Sequence, residues 1–152
     1  HSFGHNGTEH YHGLGINAKM SELQAAMGLS VLPYMEQIIA ERKNTSVYYD
    51  EHLDFSDLSK LKLRPSTDWN YAYYPVIFND EASLLKVKFN LESNKIYPRR
   101  YFYPSLEELP YINSDNCNIA KNLASRVLCL PLYVGLQKSQ QKEIIRLINN
   151  KF

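Results

Sequence analysis

The stretch Gly13-Leu14-Gly15-Ile16-Asn17-Ala18-Lys19-Met20-Ser21-Glu22-Leu23-Gln24-Ala25-Ala26-Met27-Gly28-Leu29 decides how the chain is read. Its first part is glycine-rich and aperiodic, which makes it loop. Its second part opens a helix. Ser21 and Gln24 are spaced as a capping box, in which the serine oxygen accepts from the third helical amide and the glutamine side chain reaches back to the N-cap amide. Leu23, Ala26, Met27 and Val31 then fall on one side, while Ala25 and Gly28 admit a close neighbour. Asn17 and Lys19 stand just ahead of the helix N-terminus, where unpaired amides and the macrodipole attract anions. An amide and an ammonium in that place suit a phosphate. Equally, Asn17 closes a turn and Lys19 is a solvated charge, and the spacing alone does not choose between the two.

Outward from this stretch, residues 1–20 are a Gly- and His-rich loop preceding a domain that runs from 21 to 152. Ser21 to His52 is one long amphipathic helical stretch, broken or kinked at Pro33, which cannot donate an intrahelical bond. Phe55 to Asp68 lacks a clean period and reads as connection. Tyr71 to Phe78 is a strand apolar on both faces, with Pro75 arguing for an edge or a bulge. Glu81 to Ser93 is a helix with Leu84, Leu85, Lys88 and Leu91 near one face, and Asn94 suits a left-handed C-cap. Lys95 to Tyr103 is a second strand candidate ended by Pro104. A short helix over Asn116–Ser125, a buried strand over Arg126–Leu130 and an amphipathic helix over Lys138–Asn150, with Ile144, Ile145 and Ile148 inward, complete the chain. The pattern predicts an α+β (α/β layer) domain. Its first helix is too long for so small a sheet to cover and suits a bridge to another domain or subunit.

Composition narrows the function. The 152 residues carry 17 Lys+Arg against 16 Asp+Glu, a net charge of +1, with 44% hydrophobic and 22% charged residues. That balance lacks the footprint of a nucleic-acid or membrane-surface binder, and no apolar run approaches the ~20 residues of a membrane span. Two cysteines, Cys117 and Cys129, build no disulfide framework and read as buried free thiols in a reducing, cytoplasmic setting. His5, His10 and His12 match no metal-ligand spacing, so no metal is expected. Twelve tyrosines suit half-buried strand positions and, for a few, polar-ligand pockets. The chain opens His1-Ser2-Phe3-Gly4 with no Met and reads as though cut from something longer.

A second constellation is Ile96-Tyr97-Pro98-Arg99-Arg100-Tyr101-Phe102-Tyr103-Pro104. Guanidinium forks beside tyrosine rings suit a diphosphate attached to a sugar or base. Strand alternation puts Arg99, Tyr101 and Tyr103 on one face, and Arg100 and Phe102 on the other. At most one of the two arginines then points at a given ligand. The bland alternative is one solvated and one ion-paired arginine.

The run Gly15-Ile16-Asn17-Ala18-Lys19-Met20-Ser21-Glu22-Leu23-Gln24-Ala25-Ala26-Met27-Gly28-Leu29, followed by Arg42, Tyr48-Tyr49 and Leu53, resembles the DegT/DnrJ/EryC1/StrS sugar aminotransferases. The resemblance continues through Ile96–Tyr103 and Arg126-Val127-Leu128-Cys129-Leu130-Pro131-Leu132-Tyr133 to the last helix. It implies the C-terminal small domain of a fold-type I, pyridoxal-phosphate-dependent enzyme. It further implies that Asn17, with Lys19 close by, reaches the cofactor phosphate in the partner's site of a homodimer. Arg99, Arg100, Tyr101 and Tyr103 would shape the sugar-nucleotide pocket. The sequence departs from the family in two places. It has no Ser-x-His-x-x-Lys motif to supply the cofactor lysine, so this chain alone is expected to be inactive and to carry no catalytic residue. Glu107 also stands where a Tyr-x-x-Pro-x-x-His segment would carry its histidine.

The Arg-Arg-Tyr-Phe-Tyr-Pro-Ser form resembles the subgroup acting on dTDP-linked keto-deoxyhexoses. The parent reaction implied is amino transfer from glutamate to such a sugar, for amino-sugar and O-antigen biosynthesis. Two other readings compete with it. One is a non-catalytic sugar-nucleotide-binding or assembly module lacking the lysine. The other, a single-strand nucleic-acid platform on the Arg/Tyr segment, is opposed by the charge balance.

Overall fold

The computed structural model describes residues 4, 6, 9, 10, 12–16, 19–113 and 117–150. The chain divides into two compact units, His1–Glu36 and Gln37–Phe152. In the first, Ser21 caps α1 (Glu22–Val31) as expected: its hydroxyl accepts from the Gln24 amide at 3.2 Å, and the Gln24 side-chain oxygen accepts from the Ser21 amide at 2.9 Å. A 3₁₀ turn over Leu32–Tyr34, with Pro33 inside it, separates α1 from α2 (Met35–His52). The break foreseen at proline is thus a change of helical pitch, because Pro33 sits where no helical hydrogen bond is asked of it. No residue of α1 is buried, and Leu23 and Leu29 are 81% and 71% exposed.

The second unit is built on an antiparallel sheet in the order β1-β2-β3, with β1 Leu58–Lys60, β2 Tyr74–Phe78 and β3 Val127–Leu130. Helices α3 (Glu81–Ser93), α4 (Asn118–Arg126) and α5 (Lys138–Asn149) surround it. Tyr74, Val76 and Phe78 alternate into the core with Leu128 and Leu130, and meet Tyr49, Leu84, Leu91, Ile144 and Ile148. Tyr49 anchors α2 here. Its ring is fully buried, lies 5.0 Å from that of Tyr74, and its hydroxyl donates to the Pro131 carbonyl at 2.9 Å. Burial pushes the Tyr49 phenol well above its ordinary range, so it remains a donor. Asn149 ties the far end of α2 to α5, donating to the His52 carbonyl and accepting from the Asp54 amide, both at 2.9 Å.

Four local expectations need correction. Strand β1 lies inside the stretch read as connection, since three residues with one buried side chain show no period. Pro75 lies on the central strand, not on an edge. Its partner Cys129 spends both backbone groups on Arg99 (N–H to oxygen, 2.8 and 3.1 Å), so the Pro75–Cys129 pair asks for no hydrogen bond. On the other side, β1 has already ended at Lys60, opposite Val76. The left-handed residue after α3 is Lys95 (φ 61°), whereas Asn94 has φ −97°. Finally, α3 turns Leu84, Val87 and Leu91 inward. Leu85 stays 47% exposed, and Lys88 pairs with Glu92 at 2.7 Å.

The inward face of α3 is open to test by chemical denaturation. Leu84→Ala removes a fully buried side chain and is expected to cost about 2–5 kcal/mol. Leu85→Ala is expected to stay within about 0.5 kcal/mol. Equal losses would reverse the assignment of faces.

Candidate functional site

The segment read as a second strand, Lys95–Tyr103, makes one bridge only, between Arg99 and Cys129. Pro98 precedes the bridge without an N–H, and the chain turns away at Tyr101-Phe102. The Tyr101-Phe102 and Tyr103-Pro104 peptide bonds are cis. One bridge still suffices to separate the two arginines. Arg99 and Tyr101 line a cleft of about 890 Å³, within the size range of small-molecule sites, whereas Arg100 and Tyr103 do not.

Arg100 is used structurally. Its guanidinium donates to Glu81 at the start of α3 (2.7 Å) and to the Ser125 carbonyl near the end of α4 (2.8 Å). It also lies 3.5 Å over the Tyr103 ring. The side chain is 13% exposed, and the group bridges three segments. Tyr103, expected on the face of Arg99, instead packs with Arg100. This follows from the turns beyond Arg99, which end strand alternation. Arg99 donates to the Tyr101 hydroxyl, and Tyr101 also meets Tyr73 edge-on at 5.1 Å. No carboxylate pairs with Arg99 among the described residues.

Glu107 lies outside this cleft and is held in a turn. It accepts from the Ser105 hydroxyl, and this bond keeps its carboxyl below the ordinary range. Ser105 itself caps the 3₁₀ turn Leu106–Glu108. Glu107 is therefore not poised as a proton donor in place of histidine.

Of the phosphate candidates, Lys19 is exposed in irregular backbone two residues before the N-cap, and Asn17 lies outside the described residues. The N-terminus of α1 is already partly spent. Its box consumes the Gln24 and Ser21 amides, and Glu22 puts a negative charge in the first turn. A phosphate held here thus depends on the loop donors more than on the helix end. His5 also lies outside the described residues, and among those described no cluster of three or more His, Cys, Asp or Glu side chains could hold a metal ion. Cys129 is buried as expected, with its thiol pushed up by burial, but Cys117 is exposed ahead of α4. No described helix is long and apolar enough to cross a membrane.

Sequence reading missed most of the cleft. Arg42 enters the sequence reading through the family resemblance, with no ligand role, and Lys95 only as the start of a strand, yet both line it with Tyr73, Tyr97 and Tyr133. These residues come from separated segments with no shared period. The one signal available was the tyrosine excess, which marks polar-ligand pockets without locating them.

Residues 1–149 match the DegT/DnrJ/EryC1/StrS aminotransferase family. The chain belongs to that family. It is similar to a dTDP-4-amino-4,6-dideoxy-D-glucose transaminase of Escherichia coli, with 33% identity over 146 residues covering 90% of this chain and 39% of that enzyme. Its fold is shared with DesI, whose structure was determined in the presence of its TDP-sugar product. There the identity is 30% and the TM-score 0.76, over 89% of this chain and 36% of DesI. A family aminotransferase from Brucella abortus, at 22% identity and TM-score 0.75, covers 97% of this chain and 40% of its own, and shares the fold. The chain spans about two fifths of the length of the curated relatives it matches. The α+β architecture read from the sequence is thus that of family members.

The division of labour between the arginines has a direct check. Arg100→Gln removes a mostly buried ion pair and is expected to destabilise the second unit by about 1–3 kcal/mol. Arg99→Gln should change stability by less than about 0.5 kcal/mol. Urea midpoints would show it, and the reverse order would place Arg100 in the cleft instead.

Proposed function

We propose that this chain is the C-terminal part of a pyridoxal-phosphate-dependent aminotransferase. The enzyme transfers an amino group from glutamate to a nucleoside-diphosphate-linked keto-deoxyhexose, dTDP-linked by likeness to the Escherichia coli relative. The product is an amino sugar for a surface polysaccharide such as O-antigen, made in the cytoplasm. The observation that carries the reading is the family match over residues 1–149, together with a cleft that brings Arg99 beside four tyrosines.

The residues present fit the cofactor at its phosphate end. Lys19 supplies a cation in an exposed loop ahead of α1, and the capped, acidic helix start leaves the phosphate to such loop donors. Asn17 and Lys19 are assigned to that phosphate in the partner subunit's site of a homodimer. When bound, pyridoxal phosphate supplies the electron sink for moving an amino group. This chain's own residues bind and orient. Arg99 and Tyr101 face the sugar nucleotide, while Arg100, through Glu81 and the Ser125 carbonyl, with Tyr103 under its guanidinium, holds the segment that carries them. The proton-moving lysine belongs to another part of the protein.

The second reading is a non-catalytic sugar-nucleotide-binding or assembly module, in which residues 37–152 hold the ligand in the same cleft. The coding DNA decides between them. An open frame reading through the His1 codon, with Ser-x-His-x-x-Lys encoded upstream, is expected. A start codon and ribosome-binding site abutting His1 would leave ligand binding without transamination.

The homodimer makes its own prediction. The α1 face that carries Leu23 and Met27, 81% and 65% exposed, is too apolar to remain in water. The chain is expected to self-associate through the region from Met20 to Ile39, with a mass that rises with concentration in light scattering. A strictly monomeric species across the range would overturn this.

A further inference from the structure

We infer that Arg42 and Lys95 join Arg99 as the diphosphate-binding set of the cleft, making it a nucleoside-diphosphate site within residues 37–152. This rests on the nucleotide-sugar reading and adds to it two residues to which that reading gives no ligand role. The argument begins with charge. Arg42 comes from α2, Lys95 from the turn after α3, and Arg99 from the bridge to β3, and all three line one cleft. Arg100, Lys88, Lys121 and Arg146 are each paired with a carboxylate, whereas among the described residues none of Arg42, Lys95 and Arg99 has an ion-pair partner. The one carboxylate in the lining, Glu143, is held by Arg146 through two hydrogen bonds of 2.5 and 2.8 Å, which keep it ionised and already countered.

The Nε atoms of Arg42 and Arg100 are both buried without a hydrogen-bond partner among the described residues, so it is the place of Arg42 in the cleft lining, not this atom, that separates the two arginines. The backbone at Lys95 is also left-handed, with φ 61°, a conformation uncommon for a lysine. The turn is closed by its amide, which donates to the Glu92 carbonyl at 2.9 Å.

The rest of the lining selects the ligand class. A lone inorganic anion would need the cations only. Here Tyr73, Tyr97 and Tyr133 stand with Leu132 around the same space. Rings and apolar surface beside three cations suit a flat base and a sugar attached to two phosphates. At about 890 Å³ the cleft has room for a nucleotide, which a pyrophosphate alone would leave largely empty.

The test is calorimetric titration of the full chain with dTDP, thymidine and inorganic pyrophosphate, at low and at moderate salt. Saturable dTDP binding is expected, weakened by salt, with thymidine and pyrophosphate each at least tenfold weaker. Arg42→Gln and Lys95→Gln should each weaken dTDP about tenfold or more, while Lys121→Gln, paired with Glu108 away from the cleft, should not. Lys95 is exposed, so its variant reports on binding even if loss of Arg42 disturbs α2. Pyrophosphate binding as tightly as dTDP, or equal losses in all three variants, would reduce the cleft to a non-specific anion surface and overturn the inference. No dTDP binding, with the lysine motif present upstream, would overturn it and leave the aminotransferase reading standing.

Discussion

Two backbone hydrogen bonds between Arg99 and Cys129, 2.8 and 3.1 Å long, organise the functional half of this chain. They attach an irregular segment to the free side of β3 and fix which way each neighbouring side chain leaves it. Arg99 then lines the cleft, and Arg100 turns away from it to Glu81 and the Ser125 carbonyl. The same two bonds explain how a proline is tolerated in a central strand. Cys129 turns its amide and carbonyl away from Pro75, so the sheet loses nothing there. One bridge thus sets both the sheet's tolerance of its sequence and the division of two adjacent arginines.

That division shows why adjacent like residues need not share a role. An arginine that keeps an ion pair at 13% exposure has given up its hydration, and is compensated only while Glu81 and the Ser125 carbonyl stay in place. It ties the start of α3 and the end of α4 to the loop, and the Tyr103 ring packs against its guanidinium. Among the described residues the Arg99 side chain, by contrast, has only the Tyr101 hydroxyl and ring as partners, which engage few of its five donors.

Legibility in the sequence followed the length of each signal. The helices were plain because caps and periods extend over several turns: Ser21 and Gln24 fix the start of α1, Asp80 that of α3, and Ile144, Ile145 and Ile148 the buried stripe of α5. Leu85 was misplaced beside Leu84, because a run of Leu-Leu-x-Val allows two registers and only the core selects Val87. β1 was invisible at three residues. Tyr103 was misplaced for a tertiary reason, since alternation holds only while a strand continues, and this one stops at a single bridge. The candidate site divides along the same line. Arg99 and Tyr101 could be found because they are neighbours in sequence, whereas Arg42, Lys95 and Tyr133 meet only through folding.

The two units place opposite demands on solvent. Residues 37–152 bury a continuous core around Tyr49, Leu128 and Ile148. Helix α1 buries no residue at all, although its sequence is rich in leucine, methionine and alanine. A helix of ten residues is marginal in water by propensity alone, so its persistence requires a surface to receive Leu23, Met27 and Leu29. Lys19 stands two residues ahead of the Ser21 cap, so whatever surface orders α1 also bears on where Lys19 sits.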